Sequence, residues 1–200
     1  MKPETRHRSS RVAAGLRPAR AGRYTRFRLL LLIAASLCCL DAAPPPTEYE
    51  VKAAFIYNFA KYVQWPPPPH SDSNAPFVIG VLGKDPFGKV LDEAMKGQTV
   101  QGRLIIVRRF VRTDEIDCDI LFVCSSERQS LQKILEALRR RPVLTIGEMD
   151  QFAELGGMIN LTREQNRVHF DMNPQAIRRA GLKAGSQLFR LARIVNEASR

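Results

Sequence analysis

Apolar positions recur at helical spacing late in the chain's first third. Val51, Phe55, Phe59 and Tyr62 fall on one stripe, widened by Ala54, Ile56 and Val63, which predicts an amphipathic helix of about four turns. Thr47 and Glu50 stand three apart at its start and read as a capping box. Trp65 and the prolines from Pro66 to Pro69 end it, and a polar Pro/Ser-rich loop follows to Ala75. Beyond it the pattern changes to short unbroken apolar runs: Phe77–Leu82, Arg103–Arg108, Asp119–Cys124 and Pro142–Ile146. Such runs, separated by helical stretches, read as buried strands of a parallel sheet. The first predicted helix between them opens with Asp85 as cap and Pro86 in the first helical position, and runs to about Lys96. A second is capped by Ser125 or Ser126 and runs to Arg139, and a short third spans Asp150–Leu155.

The period then becomes two. Met158–Thr162, a polar turn and Arg167–Met172 predict an antiparallel hairpin. Val168, Phe170 and Met172 face one side; Arg167, His169 and Asp171 face the other. Asn173-Pro174 opens a closing helical region, broken at Gly181 and Gly185, whose apolar face is Leu182, Leu188, Leu191, Ile194 and Val195. The expectation is an α/β fold: a mainly parallel sheet covered by helices, with a C-terminal antiparallel hairpin and closing helices. No internal repeat is present.

Charge changes the picture at the N-terminus. The 200 residues carry 31 Lys+Arg against 20 Asp+Glu, a net +11, which by itself suggests a nucleic-acid or membrane partner. Nine of the basic residues lie in the first 28, followed by the apolar run Leu29–Leu40 and the small residues Ala42 and Ala43. A basic region, a short apolar run and a small-residue exit make a secretory signal peptide. Residues 1–43 are therefore read as a signal peptide and 44–200 as one domain, exported to the periplasm. A lipidated N-terminus at Cys38 or Cys39 is the alternative, although Leu37 or Cys38 stands where a small residue is needed. Residues 1–43 hold nine basic and two acidic residues, so the remainder keeps 22 and 18, a net +4.

Few motifs carry chemistry. Gly80-Val-Leu-Gly83-Lys84-Asp-Pro-Phe-Gly88 joins a strand to a helix but matches no phosphate-loop pattern, and Asp85 stands where phosphate would sit. Only His70 and His169 remain in the mature chain, in unrelated contexts, and no metal site or cofactor is expected. There is no GxSxG elbow. Cys118 and Cys124 bracket a strand, about 20 Å apart if extended, beyond the roughly 7 Å reach of a disulfide unless Cys118 folds back. Buried free thiols, an intermolecular bridge and a redox role stay open. Arg139-Arg140-Arg141 ends a helix, where cations suit the dipole, and no nucleic-acid partner is expected. Arg167, His169 and Asp171 form either a ligand-binding face, with Asp171 orienting His169, or the solvated side of a hairpin. Tyr49, Phe55, Tyr57, Phe59, Tyr62 and Trp65 crowd one helix, more than one core stripe needs, so part of that surface reads as a partner or dimer face.

Taken in order, several segments resemble the YfiR family of exported bacterial proteins. They are Glu50-Val-Lys-Ala-Ala-Phe-Ile-Tyr-Asn-Phe-Ala-Lys-Tyr-Val-Gln-Trp-Pro66, Val78-Ile-Gly-Val-Leu-Gly83 with Asp85-Pro-Phe-Gly88, Cys118-Asp-Ile-Leu-Phe-Val123 and Val143-Leu-Thr-Ile-Gly147. Gly156-Gly-Met-Ile-Asn160, Asn166-Arg-Val-His-Phe170 with Asn173, Gly181-Leu-Lys183, Ser186-Gln-Leu188 and Leu191-Ala192 complete the match. The resemblance implies a periplasmic α/β protein, not an enzyme, that inhibits a membrane diguanylate cyclase through its periplasmic domain and so restrains cyclic di-GMP synthesis and biofilm formation. It also implies a homodimer, an outer-membrane lipoprotein partner, and a small-molecule pocket at Arg167 and His169. The cysteines depart from the family: Cys118 matches a disulfide position whose upstream partner is absent. A different reading of the same residues is a periplasmic small-molecule-binding module serving another sensor or uptake system.

Overall fold

The computed structural model describes residues 45–67 and 75–197. The expected signal peptide, Cys38, Cys39 and His70 lie outside the described residues.

Helix α1 (Glu48–Tyr62) begins as its sequence dictates. The Thr47 hydroxyl accepts the Glu50 amide and the Glu50 carboxylate accepts the Thr47 amide, closing a capping box. It runs directly into β1 (Val63–Gln64), short of Pro66. Strand β2 (Phe77–Leu82) is buried along its whole length. Helix α2 (Lys89–Met95) starts later than predicted. Asp85 does not cap it: one carboxylate oxygen accepts the Phe87 amide at 2.7 Å and the other takes Arg109 at 3.0 Å. The chain enters α2 through Gly88, whose φ of 55° favours glycine.

A two-residue turn joins β3 (Thr99–Val100) to β4 (Arg103–Phe110), which extends past the predicted Arg108. Strand β5 (Ile120–Val123) leads into a 3-10 turn, Ser125–Glu127, and only then α3 (Leu131–Leu138). Neither Ser125 nor Ser126 caps that helix; the Ser126 hydroxyl instead accepts the Lys84 amide across the loop at 2.9 Å. Helix α3 buries Leu131, Ile134, Leu135 and Leu138, one face by spacing, each contributing about 1.5–3 kcal/mol by burial.

Strand β6 (Leu144–Gly147) follows. The short helix expected over Asp150–Leu155 is a series of turns, because Gln151 takes φ 61° and breaks any helical run. Strands β7 (Ile159–Glu164) and β8 (Arg167–Met172) form the expected hairpin around Gln165 and Asn166. The closing region is not one helical face. It divides into α4 (Pro174–Arg179), β9 (Lys183–Ala184), α5 (Ser186–Leu191) and β10 (Arg193–Ile194). Leu182 and Leu188 are buried, but Leu191 and Ile194 are 70% and 47% exposed. Strand β10 pairs with β8 at the sheet edge, and both of its residues are exposed.

The eight-stranded sheet has the order β10-β8-β7-β6-β5-β2-β4-β3. Strands β2, β4, β5, β6 and β7 are parallel; β8 runs antiparallel to β7 and β3 to β4. A separate small ladder pairs β1 with β9. Helices α1 and α2 and residues of α4 and α5 pack on one face through Phe59, Leu91, Ile177 and Leu188. Helix α3 covers the central strands on the other. The expected α/β architecture is the one observed.

Candidate functional site

Helix α1 divides its aromatic residues between core and solvent. Phe59 is fully buried and meets Phe170 of β8 edge-on at 5.0 Å, with Phe55 beside both. Tyr49 packs edge-on against Phe87 at 5.2 Å, and Trp65 stands perpendicular to Phe77 at 5.1 Å. These four rings hold the helix on the sheet. Tyr57 and Tyr62 make no such ring pair: Tyr57 is half-buried against the core with the Lys61 ammonium 5.3 Å from its ring centre, and Tyr62 is exposed. The partner or dimer face expected from six aromatics therefore narrows to these two, with exposed Ala54, Asn58 and Lys61 around them.

The structure adds a polar site that residue types alone did not single out. Lys52 is buried on the inner face of α1. Its ammonium lies 2.6 Å from both Glu148, just beyond β6, and Glu48, one turn back, and over the Tyr49 ring at 4.7 Å. Burial pulls its pKa down, but the bonds to Glu148 and Glu48 outweigh this and hold it above its usual value. Glu48 is held below the usual carboxylate value, chiefly by its bond with Lys52. Burial, reinforced by the charge on Glu148, raises the Tyr49 phenol. Glu48 also takes Arg163 at 2.6 Å, and Arg163 donates to Asn166 in the hairpin turn. A continuous polar chain thus links β6, α1 and the tip of the hairpin. The available signal was phase: Lys52 sits one helical turn from both Glu48 and the core residue Ile56.

On the hairpin, Arg167 and His169 are exposed, and among the described residues neither side chain has a hydrogen bond or ion pair. Asp171 is buried and engaged elsewhere. Arg193 of β10 grips it with two bonds, of 2.7 and 2.9 Å, and reaches Glu164 at 3.3 Å. The three residues share a face, as alternation predicted, but Asp171 orients Arg193 rather than His169. Thr162, opposite His169, keeps a buried hydroxyl with no partner among the described residues.

Cys118 and Cys124 are both free. Burial pushes each thiol up to about 12, reinforced by neighbouring carboxylates, so both stay protonated and unreactive at neutral pH. Among the described residues no cluster of three or more His, Cys, Asp or Glu has metal-binding geometry, and no helix is long and apolar enough to cross a membrane.

Comparison with known structures finds a similar fold in a conserved domain protein from Vibrio cholerae, at 10% identity and a TM-score of 0.52. The match covers 76% of this chain and 60% of that protein, so this chain spans less than two thirds of its length. At that identity the likeness concerns the fold. Sequence comparison is more specific: the YfiR/HmsC-like family matches residues 49–193, from the first turn of α1 to β10. That span takes in nearly all of the aromatic helix, Lys52 with Glu148, and the whole hairpin. The chain is a member of the YfiR/HmsC-like family.

Proposed function

We propose that this protein is exported to the periplasm and there binds and inhibits the periplasmic domain of a membrane diguanylate cyclase, lowering cyclic di-GMP. Family membership over nearly the whole described domain is the observation that carries this reading. The family is periplasmic, regulatory and generally without catalytic activity. Exposed Tyr62, with half-buried Tyr57 on the same helix, supports recognition by contact, since tyrosines on a rigid helix offer large contact area at little entropic cost. The same face serves a homodimer or the cyclase. Release by an outer-membrane lipoprotein belongs to the same proposal.

The test is genetic. Deletion in a strain that encodes the cyclase should raise cyclic di-GMP and surface attachment, and wild-type protein should reverse both. A Tyr57→Ala/Tyr62→Ala variant, present in the periplasm at normal level, should fail to reverse them. Unchanged cyclic di-GMP on deletion would sink the proposal. Full repression by the double variant would remove the helix face from it.

The unpaired Arg167 and His169 support a second reading, a binding module for a small anionic molecule that reports to another sensor or uptake system. Loss of a bound ligand on Arg167→Ala, with no effect of deletion on cyclic di-GMP, would favour it.

A further inference from the structure

A cleft of about 480 Å³ is lined by neither Tyr57, Tyr62 nor any hairpin residue. It opens at the amino ends of β2, β5 and β6, between Trp65 and the loop entering β6. That volume is in the range of small-molecule sites.

Its floor is rigid. Arg103 grips Asp119 with two bonds, of 2.8 and 3.0 Å, and donates to the Pro76 and Ala75 carbonyls. Asp119 also accepts the Val78 amide at 2.7 Å, and its carbonyl accepts the Trp65 indole N–H at 3.2 Å. Arg103 and Asp119 are thus satisfied by each other and fix the Trp65 ring. Two other arginines line the cleft with no carboxylate partner among the described residues. Arg141 makes one bond, to the Ile116 carbonyl at 2.8 Å, and Arg108 makes none. Pro66, Pro67 and Pro76 extend the apolar wall beside Trp65.

From this geometry we propose that the cleft binds a small planar monocarboxylate, with its carboxylate held by Arg108 and Arg141 and its flat apolar body against Trp65 and the prolines. Guanidinium groups match a carboxylate in plane and hydrogen-bond direction. The count of charges sets the valence. Three arginines and two aspartates, Asp117 and Asp119, line the cleft and leave one positive charge. A monoanion balances it, whereas a phosphate monoester near −2 would leave one negative charge uncompensated in the cleft. The protonated Cys118 thiol at the base is a weak donor and not a nucleophile, so binding without covalent chemistry is expected. The inference does not depend on the cyclase reading.

Trp65 is the single tryptophan of the chain, so its indole N–H resonance reports on this cleft alone. The purified protein, labelled with nitrogen-15, is titrated with 4-hydroxybenzoate, with phenol as the uncharged control and uridine monophosphate as the phosphate control. The expected result is a saturable shift of the Trp65 resonance by 4-hydroxybenzoate and little response to phenol. Arg108→Gln should weaken that affinity about tenfold, the loss of one charge-assisted bond, at unchanged thermal stability because Arg108 supports nothing in the fold. Arg141→Gln should weaken it similarly, while Arg167→Ala should leave it intact. No saturable shift, affinity unchanged in both Arg108→Gln and Arg141→Gln, or tighter binding of uridine monophosphate would each overturn the proposal.

Discussion

At the scale of single residues, the strongest local commitment is the buried ammonium of Lys52. Replacing it with Met keeps the volume but leaves Glu148, whose side chain is 11% exposed, facing only the Tyr49 hydroxyl at 3.4 Å. Removing one partner of a buried ion pair costs about 3 kcal/mol, and Lys52→Met should show this loss in urea denaturation at neutral pH. The pH dependence follows from the directions of the shifts. Glu48 titrates below its ordinary 4.5, so its contribution is present above that value and is lost as pH falls through its folded pKa. Lys52 titrates above its ordinary 10.5, so its contribution is present below that value and is lost as pH rises through its folded pKa. The gap in stability between wild type and Lys52→Met should therefore be widest between these limits and narrow in acid. A gap constant from neutral pH into acid would show that packing, not the ion pair, accounts for the loss.

At the scale of elements, the hairpin and its neighbour β10 form the least conventional part of the sheet. The turn residues Gln165 and Asn166 take φ of 47° and 64°, the arrangement of a two-residue turn that matches strand twist. Asn tolerates this backbone; Gln does so at a cost. Gln165→Asn should raise stability by about 0.5 kcal/mol, read as a shift in the urea midpoint with unchanged slope. Strand β10 has two residues and holds the sheet edge by Arg193 on Asp171 and by the Val195 amide on the Met172 carbonyl. Arg193→Ala strands a carboxylate whose side chain is 4% exposed and should free this edge first. In hydrogen exchange, the Val195 amide should lose protection while those of β2 and β5 keep theirs. Equal loss across the sheet would mean that Arg193 supports the whole fold rather than its edge.

At the scale of the molecule, the sheet was legible because its central strands are apolar on both faces and bounded by turn signals. Helix starts were less so: Asp85 and Ser126 are good caps by type, yet Arg109 and the Lys84 amide, each distant in sequence, claim them instead. The site was legible in outline for the same reason. Five aromatics on α1 and Trp65 just past β1 could be counted, but which four make ring pairs depends on Phe77, Phe87 and Phe170, supplied by three other segments. Lys52 and Glu148 stand 96 residues apart and meet only in the folded chain. Charge obeys the same logic. Outside residues 1–43 the excess falls from +11 to +4. Arg103, Arg109, Arg112, Arg139, Arg163, Arg179 and Arg193 are all paired with carboxylates. Paired arginines scattered over several elements do not make the continuous basic stripe that a phosphate backbone requires. Protein recovered from the periplasm should therefore have an intact mass short of 22.6 kDa by residues 1–43. It should also leave a cation exchanger at lower salt than the uncleaved chain and show no retention on duplex DNA at about 0.15 M salt. A full-length mass in that fraction would overturn the export reading, and salt-sensitive DNA binding by the shortened chain would return the basic charge to a role in the working protein.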